Sequence, residues 1–292
     1  MWQQIAANAI VSGSGYLLIA LGFALIFRVC RFFHFAHGAV FTAGAYLCFV
    51  LHSTLGAPLL TAVIVAFALS AGLGCLIEIS VYRPLRRRRS SPLILLVSSL
   101  GVYVVIQNLV SVTFGDVTRS LQPGTVQQGI LILGARITSV QIVIIASSLL
   151  LAWAVNLALM HTKLGTAARA VADDPQLASA AGIYSDSVVL LSLALGSALA
   201  GLAGVLVALD VDMTPTMGLQ ALLMAVVVVV ISGFHSVLGL ALGAILVGVA
   251  QHLGGWYAGY EWQDGIAFLI LLVFLLFRPY GILGRMLHKV EI

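Results

Sequence analysis

The chain has 292 residues, of which 61% are hydrophobic and only 8% charged, and its mean hydropathy is +1.13. That composition excludes a soluble globule, which needs far more polar surface. The formal net charge of +4 comes from basic residues clustered between apolar runs, a pattern of membrane topology that gives no ground for nucleic-acid binding.

The opening MWQQIAANAI lacks the basic stretch of a cleavable signal peptide, so the first apolar run is expected to be retained. Runs of about 18 or more apolar residues mark membrane spans. They fall at 10–27, 38–55, 58–81, 92–114, 138–160, 187–209, 218–232, 237–254 and 265–277. The count is eight or nine, because 38–55 begins within RVCRFFHFAHG and reads equally as a broken or re-entrant segment. The expected fold is an all-α polytopic membrane protein, a helical bundle of 8–9 transmembrane segments in one domain over 1–292. Cys30, Cys48 and Cys75 lie in or beside spans and form no disulfide framework.

Between the first two runs, Phe35-Ala36-His37-Gly38 places glycine beside a basic stretch. Glycine tolerates backbone angles that other residues avoid, and irregular backbone survives at membrane depth only beside protein or water. The segment is expected to border a translocation route; the rival reading is that it merely starts the second span. His34 and His37, with Cys30 nearby, have no acidic partner, and no metal site is expected.

Further along, Arg83 and Arg86 to Arg89 crowd one short loop, with Glu78 close enough to pair with Arg83 or reach the interface. The 115–137 connection holds a Gln122-Pro123-Gly124 turn and then GILILGARI, which reads as a small hairpin. Gly196, Ala200 and Gly204 repeat at four-residue spacing, as do Gly239 and Gly243, so close helix packing is expected. Gln107, Asn108, Gln141, Asn156, Gln220, Gln251 and His252 read mainly as interhelical hydrogen-bonding groups.

The most polar segment between spans is HTKLGTAARAVADDPQLASAAGI, 161–183. Leu164, Ala167, Ala168, Val171 and Ala172 share one face of a helical period. Asp174 then caps a second, shorter helix that starts at Pro175 and carries Leu177, Ala180 and Ala181, and Gly182 suits the residue after its end. An apolar face of small side chains fits a protein groove better than lipid, because a membrane-surface helix carries bulky residues and many lysines.

Placing the arginine loop, this insert and the tail residues Arg278, Arg285 and Lys289 on one side, with Arg28 and Arg31, puts 12 of the 14 basic residues there; only Arg119 and Arg136 fall opposite. By the positive-inside rule that side is cytoplasmic, with the C-terminus in and the N-terminus out if 38–55 spans. No H-E-x-x-H, G-x-S-x-G or carboxylate cluster gives a catalytic site, and no G-x-x-x-x-G-K-[ST] gives a P-loop. No catalytic residue and no cofactor is expected, and any ATPase must be a partner.

HFAHGAVFTAGAYL, Arg83-Pro84-Leu85 with the PLILLVSSLGVYVVIQNLVSVTFG span, TKLGTAARAVADDPQLASAAGI, LGSALAGLAGVL and FLLFRPYGILG together resemble the LivH-type permease of branched-chain amino-acid ABC importers. The resemblance runs over nearly the whole chain in order. It implies a permease subunit of the inner membrane, paired with a LivM-like permease, two cytoplasmic ATPase subunits and an extracytoplasmic solute-binding protein. It also makes 161–183 the cytoplasmic coupling insert, with Leu164, Gly165, Ala168, Arg169, Val171, Asp174 and Pro175 at the ATPase. Phe35, Ala36, His37 and Gly38 become candidates for the path. The chain departs from the pattern at Arg28, where glycine is usual, at His34, where asparagine is usual, and at Ser232-Gly233-Phe234-His235-Ser236. Relatives that carry urea or short amides leave the solute open, and a secondary transporter or channel is the alternative class; that class would place coupling carboxylates or an inverted repeat at mid-membrane.

Overall fold

A computed structural model describes residues 1–121, 129–234, 236–278 and 281–282. The Gln122-Pro123-Gly124 turn, His235, Pro279, Tyr280, Arg285 and Lys289 lie outside them. The elements in chain order are α1 (Trp2–Cys30), α2 (Ala36–Phe49), α3 (Leu59–Ile77), α4 (Arg83–Arg87), α5 (Pro92–Phe114), β1 (Ile130–Ile132), β2 (Ala135–Ile137) and α6 (Ser139–His161). Then follow α7 (Lys163–Asp173), α8 (Pro175–Ala180), α9 (Ser185–Asp210), α10 (Met217–Ser232), α11 (Val237–Ala258) and α12 (Gln263–Phe277).

Seven helices are long and apolar enough to cross a membrane, counting α3 and α4 as one rod and the short turn before α12 as part of it. That rod runs through a wide π turn at Glu78–Tyr82, and a second π turn, Val50–Thr54, prolongs α2. α10 is shorter, at 16 residues. The chain is therefore an all-α polytopic membrane protein.

Local sequence explains several starts. α6 opens with a capping box, in which Thr138 accepts from the Gln141 amide at 3.2 Å and the Gln141 side chain accepts from Thr138 N–H at 3.1 Å. α5 opens on Ser91-Pro92, where proline's missing N–H costs nothing. The expected hairpin forms as β1 and β2, joined by Leu133 and Gly134 with φ of 50° and 83°, the two-residue loop that suits strand twist. It is pinned to the start of α1, because Gln4 accepts from Arg136 N–H at 2.8 Å and donates to Arg136 C=O at 3.1 Å.

Layering follows burial. α1, α2, α9 and α10 form the interior, while α5, α6 and α12 leave broad apolar faces outward, with Val112 at 86% and Leu276 at 71% exposure. α9 packs on α1, α2 and α3, and α1 on α11 and α10. These contacts are close because the glycines sit at the crossings: Gly22 meets Gly196, and Gly204 lies against the Phe41 carbonyl. The four-residue repeat in α9 is thus packing.

Two ends of the bundle differ in charge. One holds the α1 N-terminus, the hairpin and residues 211–216, which an Arg119 to Met213 backbone bridge ties to the end of α5. The other holds α4, α7, α8 and the 31–35 connection, and ion pairs there tie α4 to the π turn and to the start of α9. Arg86 pairs with the buried Glu78, and Arg83 with Asp186 at 3.0 Å. Glu78 thus takes Arg86 in place of the expected Arg83, because one turn of α4 brings residue 86 back over the π turn while Arg83 faces the start of α9.

Candidate functional site

The 161–183 insert folds as the two expected helices, but its faces are turned from the expected orientation. Thr162 caps α7 by accepting from Gly165 N–H at 3.0 Å. A side chain on Gly165 would run into the carbonyls of Ala158 and Leu159, so only glycine lets α7 turn this tightly off α6. Gly165, Ala168, Val171 and Ala172 are buried, and α7 packs against α1, α6 and α9. Ala168 at 6% and Val171 at 2% exposure therefore line the seam with the protein's own bundle, contrary to the expected exposed face. The hydrophobic stripe is real, and the bundle itself is what it covers. Arg169 donates to the Leu159 carbonyl and to Thr166, closing the α6 end.

The corner is as expected. Asp174 accepts from the amides of Gln176 at 2.8 Å and Leu177 at 3.0 Å, with Pro175 at the first helical position. Gly182, at φ 84°, follows α8, and the Ile183 amide reaches back to the Ala178 carbonyl at 3.0 Å. Only Ala178 of α8 is buried; Leu177, Ala180 and Ala181 are exposed, not a packed face. What α7 and α8 present outward is Leu164 at 59%, Leu177 at 69% and, just beyond, Tyr184 at 83% exposure, with Pro175 exposed beside them.

The insert touches the α1–α2 connection directly. Arg31, in the left-handed region at φ 55°, donates to the carbonyls of Ala172 and, at 3.0 Å, of Asp173. A guanidinium on the free carbonyls of a helix C-terminus is favourable for both charge and dipole.

The break occupies 31–35, and Ala36 already begins α2. Ser99 of α5, fully buried, satisfies its backbone: it accepts from Phe35 N–H at 3.0 Å and donates to the Phe33 carbonyl at 3.2 Å. His34 Nδ1 and the Tyr82 hydroxyl share a 2.9 Å hydrogen bond, and His37 Nε2 donates to the Ile19 carbonyl at 3.1 Å. The two imidazole rings stand 6.1 Å apart, and no third His, Cys, Asp or Glu gathers with them among the described residues. Gly38 is helical, not an unusual backbone angle. It is glycine because α10 crosses there: a Cβ would lie 2.5 Å from the Gly218 carbonyl oxygen. Ala36, His37 and Gly38 are buried and Phe35 is half-buried, so the segment is packed between helices.

Toward the other end of the bundle lies an open cavity of about 540 Å³ beside the 211–216 connection. α1 contributes Ser12, Tyr16 and Ile19, α2 contributes Phe41, one turn beyond Gly38, and α6 contributes Ile144. The remaining lining comes from the junction of α9 and α10: Asp210, Asp212, Thr214 and Thr216, then Met217, Gln220, Ala221 and Met224 of α10. Among the lining residues, Gln220 donates to Asp264 at 2.8 Å. Neither Asp210 nor Asp212 was singled out from the sequence. The available signal was Asp210-Val211-Asp212 directly after an apolar span and just before a short one. Arg31, Tyr82 and Ser99 were also missed, although a Ser98-Ser99 pair inside an apolar run marks a place where backbone needs help.

The amide residues mostly make local or interhelical bonds. Asn108 donates to the Val104 carbonyl at 2.8 Å, His252 bonds Ser12 at 2.9 Å, and Gln251 reaches Asp264 at 3.4 Å.

Residues 5–275 match the family described as branched-chain amino acid transport system / permease component. The chain is 33% identical over 293 residues to the high-affinity branched-chain amino acid transport system permease protein LivH of Escherichia coli K12, covering 95% of this chain and 94% of that protein. It is 34% identical over 297 residues to BraD, the corresponding permease protein of Pseudomonas aeruginosa, with 97% and 96% covered. Among solved structures, PsaBC from Streptococcus pneumoniae in complex with Fab superposes with a TM-score of 0.52 at 16% identity, over 95% of this chain and 92% of that one, a likeness of fold alone. Joined to the seven long apolar helices and the α7–α8 insert, the match over 5–275 establishes that the chain belongs to the branched-chain amino acid transport permease family.

Proposed function

We propose that the chain is a permease subunit of an ATP-driven importer that carries branched-chain amino acids across the bacterial inner membrane. The observation that carries this reading is the family match over 5–275, with relatives named as branched-chain amino acid permease proteins aligned along nearly their full length. The chain is then one permease domain over 1–292, paired with a LivM-like permease and served by two ATPase subunits and an extracytoplasmic binding protein. ATP hydrolysis belongs to those partners.

In this reading the end bearing α4, α7 and α8 is cytoplasmic, and so is the C-terminus. The seven long helices, α10, and α2 with its π-turn extension make nine crossings, the N-terminus lying outside. The asymmetric placement of arginines supports this orientation. Maleimide labelling of single-cysteine variants in intact and permeabilised cells tests it: Arg87→Cys should react only after permeabilisation, and labelling of intact cells would reverse the assignment.

Residues 161–183 form the coupling insert. Leu164, Pro175, Leu177 and Tyr184 meet the ATPase, while Gly165, Ala168, Arg169, Val171 and Asp174 set the angle of α7 and α8 from behind. Phe35, Ala36, His37 and Gly38 support the translocation path from the second layer. The test is uptake of radiolabelled leucine into proteoliposomes containing both permeases and the ATPase. Uptake that needs ATP and binding protein is expected; leucine uptake driven by an ion gradient without ATPase would place the chain among secondary transporters. Transport of urea or short amides with no leucine uptake would keep the class and change the solute.

A further inference from the structure

We infer that the cavity at the α9–α10 junction is a solute site within this subunit, taking a primary ammonium at Asp210 and a short aliphatic chain on the wall formed by Ile19, Phe41, Ile144 and Met224. This inference rests on the proposed importer function and names where in this chain the solute stops.

The lining of the cavity is mixed. Asp210 and Asp212 both contribute to it, and no Lys or Arg does among the described residues. Asp210 is the last residue of α9, where the unpaired carbonyls of the final turn already form the negative end of a helix. A carboxylate there adds to the negative potential, so the position favours a cation.

The same lining includes the start of α10. Thr216 precedes its first residue and makes no side-chain capping bond, and the Thr214 and Thr216 hydroxyls, 3.4 Å apart, line the cavity beside the electropositive end of that helix. The apolar part of the lining is Ile19, Phe41, Ile144, Met217 and Met224, with Ser12, Tyr16 and Gln220 among them as neutral polar groups. A volume of about 540 Å³ lies within the range of small-molecule sites. An ammonium at Asp210, a carboxylate toward α10 and an aliphatic side chain on the apolar residues fit this lining; an anion without an ammonium does not.

The experiment uses the complex of both permeases and the ATPase in nanodiscs, without binding protein, and measures equilibrium binding of tritiated leucine by scintillation proximity. Saturable binding is expected, displaced by valine and by leucinamide, which keeps the ammonium, and not by 4-methylpentanoate, which lacks it. Asp210→Asn should weaken binding more than tenfold, and Asp212→Asn, at an exposed position, less than threefold. Ala221→Trp should fill the cavity and abolish binding with the melting temperature unchanged. Wild-type affinity in both Asp210→Asn and Ala221→Trp overturns the site, as does a complex that transports leucine yet never binds it without binding protein. If the complex transports no branched-chain amino acid, the importer reading fails on its own. Binding of 3-methylbutylamine, lost in Asp210→Asn, then still supports the site, and its absence removes both.

Discussion

Replacing Asp174 by alanine isolates what the corner of the insert contributes. The carboxylate accepts from two amides, Gln176 N–H at 2.8 Å and Leu177 N–H at 3.0 Å, and no other side chain caps α8. Losing such a cap costs about 1 kcal/mol. α8 has only 6 residues, with one buried side chain, so it has little stability of its own to absorb that loss. About 1 kcal/mol is roughly a fivefold change in an equilibrium constant. The locally unfolded population of 175–183 should therefore rise about fivefold, read as about fivefold faster amide hydrogen exchange at Leu177, Ala178 and Ile183 with α9 unchanged. Asp174→Asn keeps a side-chain acceptor of equal capping strength and should restore the wild-type rate. Solute-stimulated ATP hydrolysis should fall in the alanine variant and recover in the asparagine one. Unchanged exchange at 177–183 in Asp174→Ala would show that packing, not the cap, holds α8, and would refute the reasoning.

Ala168→Asp and Leu177→Asp separate the two faces of the insert. The first buries an unpaired carboxylate against α1 and α9 and should lower the melting temperature of the subunit, whereas the second should leave it unchanged and abolish ATPase co-purification. Retained co-purification in Leu177→Asp would move the docking surface elsewhere. Gly38→Ala sets a methyl 2.5 Å from a backbone carbonyl that cannot rotate away, so a loss of about 1–3 kcal/mol and poorer assembly are expected, measured by thermal melting in detergent. Assembly is thus the first casualty of any larger residue at 38, and a transport defect there cannot be read separately. Arg31→Ala removes the donor to Ala172 and Asp173 at a partly solvated site; about 1 kcal/mol is expected, seen as faster exchange at the end of α7, with Arg31→Lys recovering part of it.

The spans and the α7–α8 corner were legible because they depend on local rules. A run of apolar residues, an aspartate before a proline and a glycine after a short helix each act within a few residues of themselves. The rotation of α7 was not legible. Leu164 and Gly165 are neighbours, and the apolar spacing chose the leucine for the inner face while the tight turn at Ala158 and Leu159 required the glycine there. The cavity was not legible either, because it is made by residues some two hundred positions apart, Ser12 with Asp210 and Phe41 with Met224. The position of the break was legible to within a few residues. Its reason was not: Gly38 serves the crossing with Gly218, a contact no local pattern announces.

The insert and the cavity are joined by contacts that leave little room to give. Arg31 ties the end of α7 to the 31–35 break, and Ser99 and Tyr82 hold that break to α5 and to the π turn that leads into α4. Two residues past the break, His37 is bonded to Ile19, which itself lines the cavity, and Gly38 rests on Gly218, next to the lining residue Met217. Glycine against backbone has no side chain to rearrange, and close-packed interiors transmit displacement better than they absorb it. A shift of α7 must therefore either break the Arg31 hydrogen bonds or move the start of α2 against α10. The second outcome alters the wall that holds Phe41 and Met217. Hydrogen exchange in Arg31→Ala distinguishes the two: protection lost at the end of α7 alone means that Arg31 is a local cap, and protection lost also at the start of α2 means that the break moves with the insert.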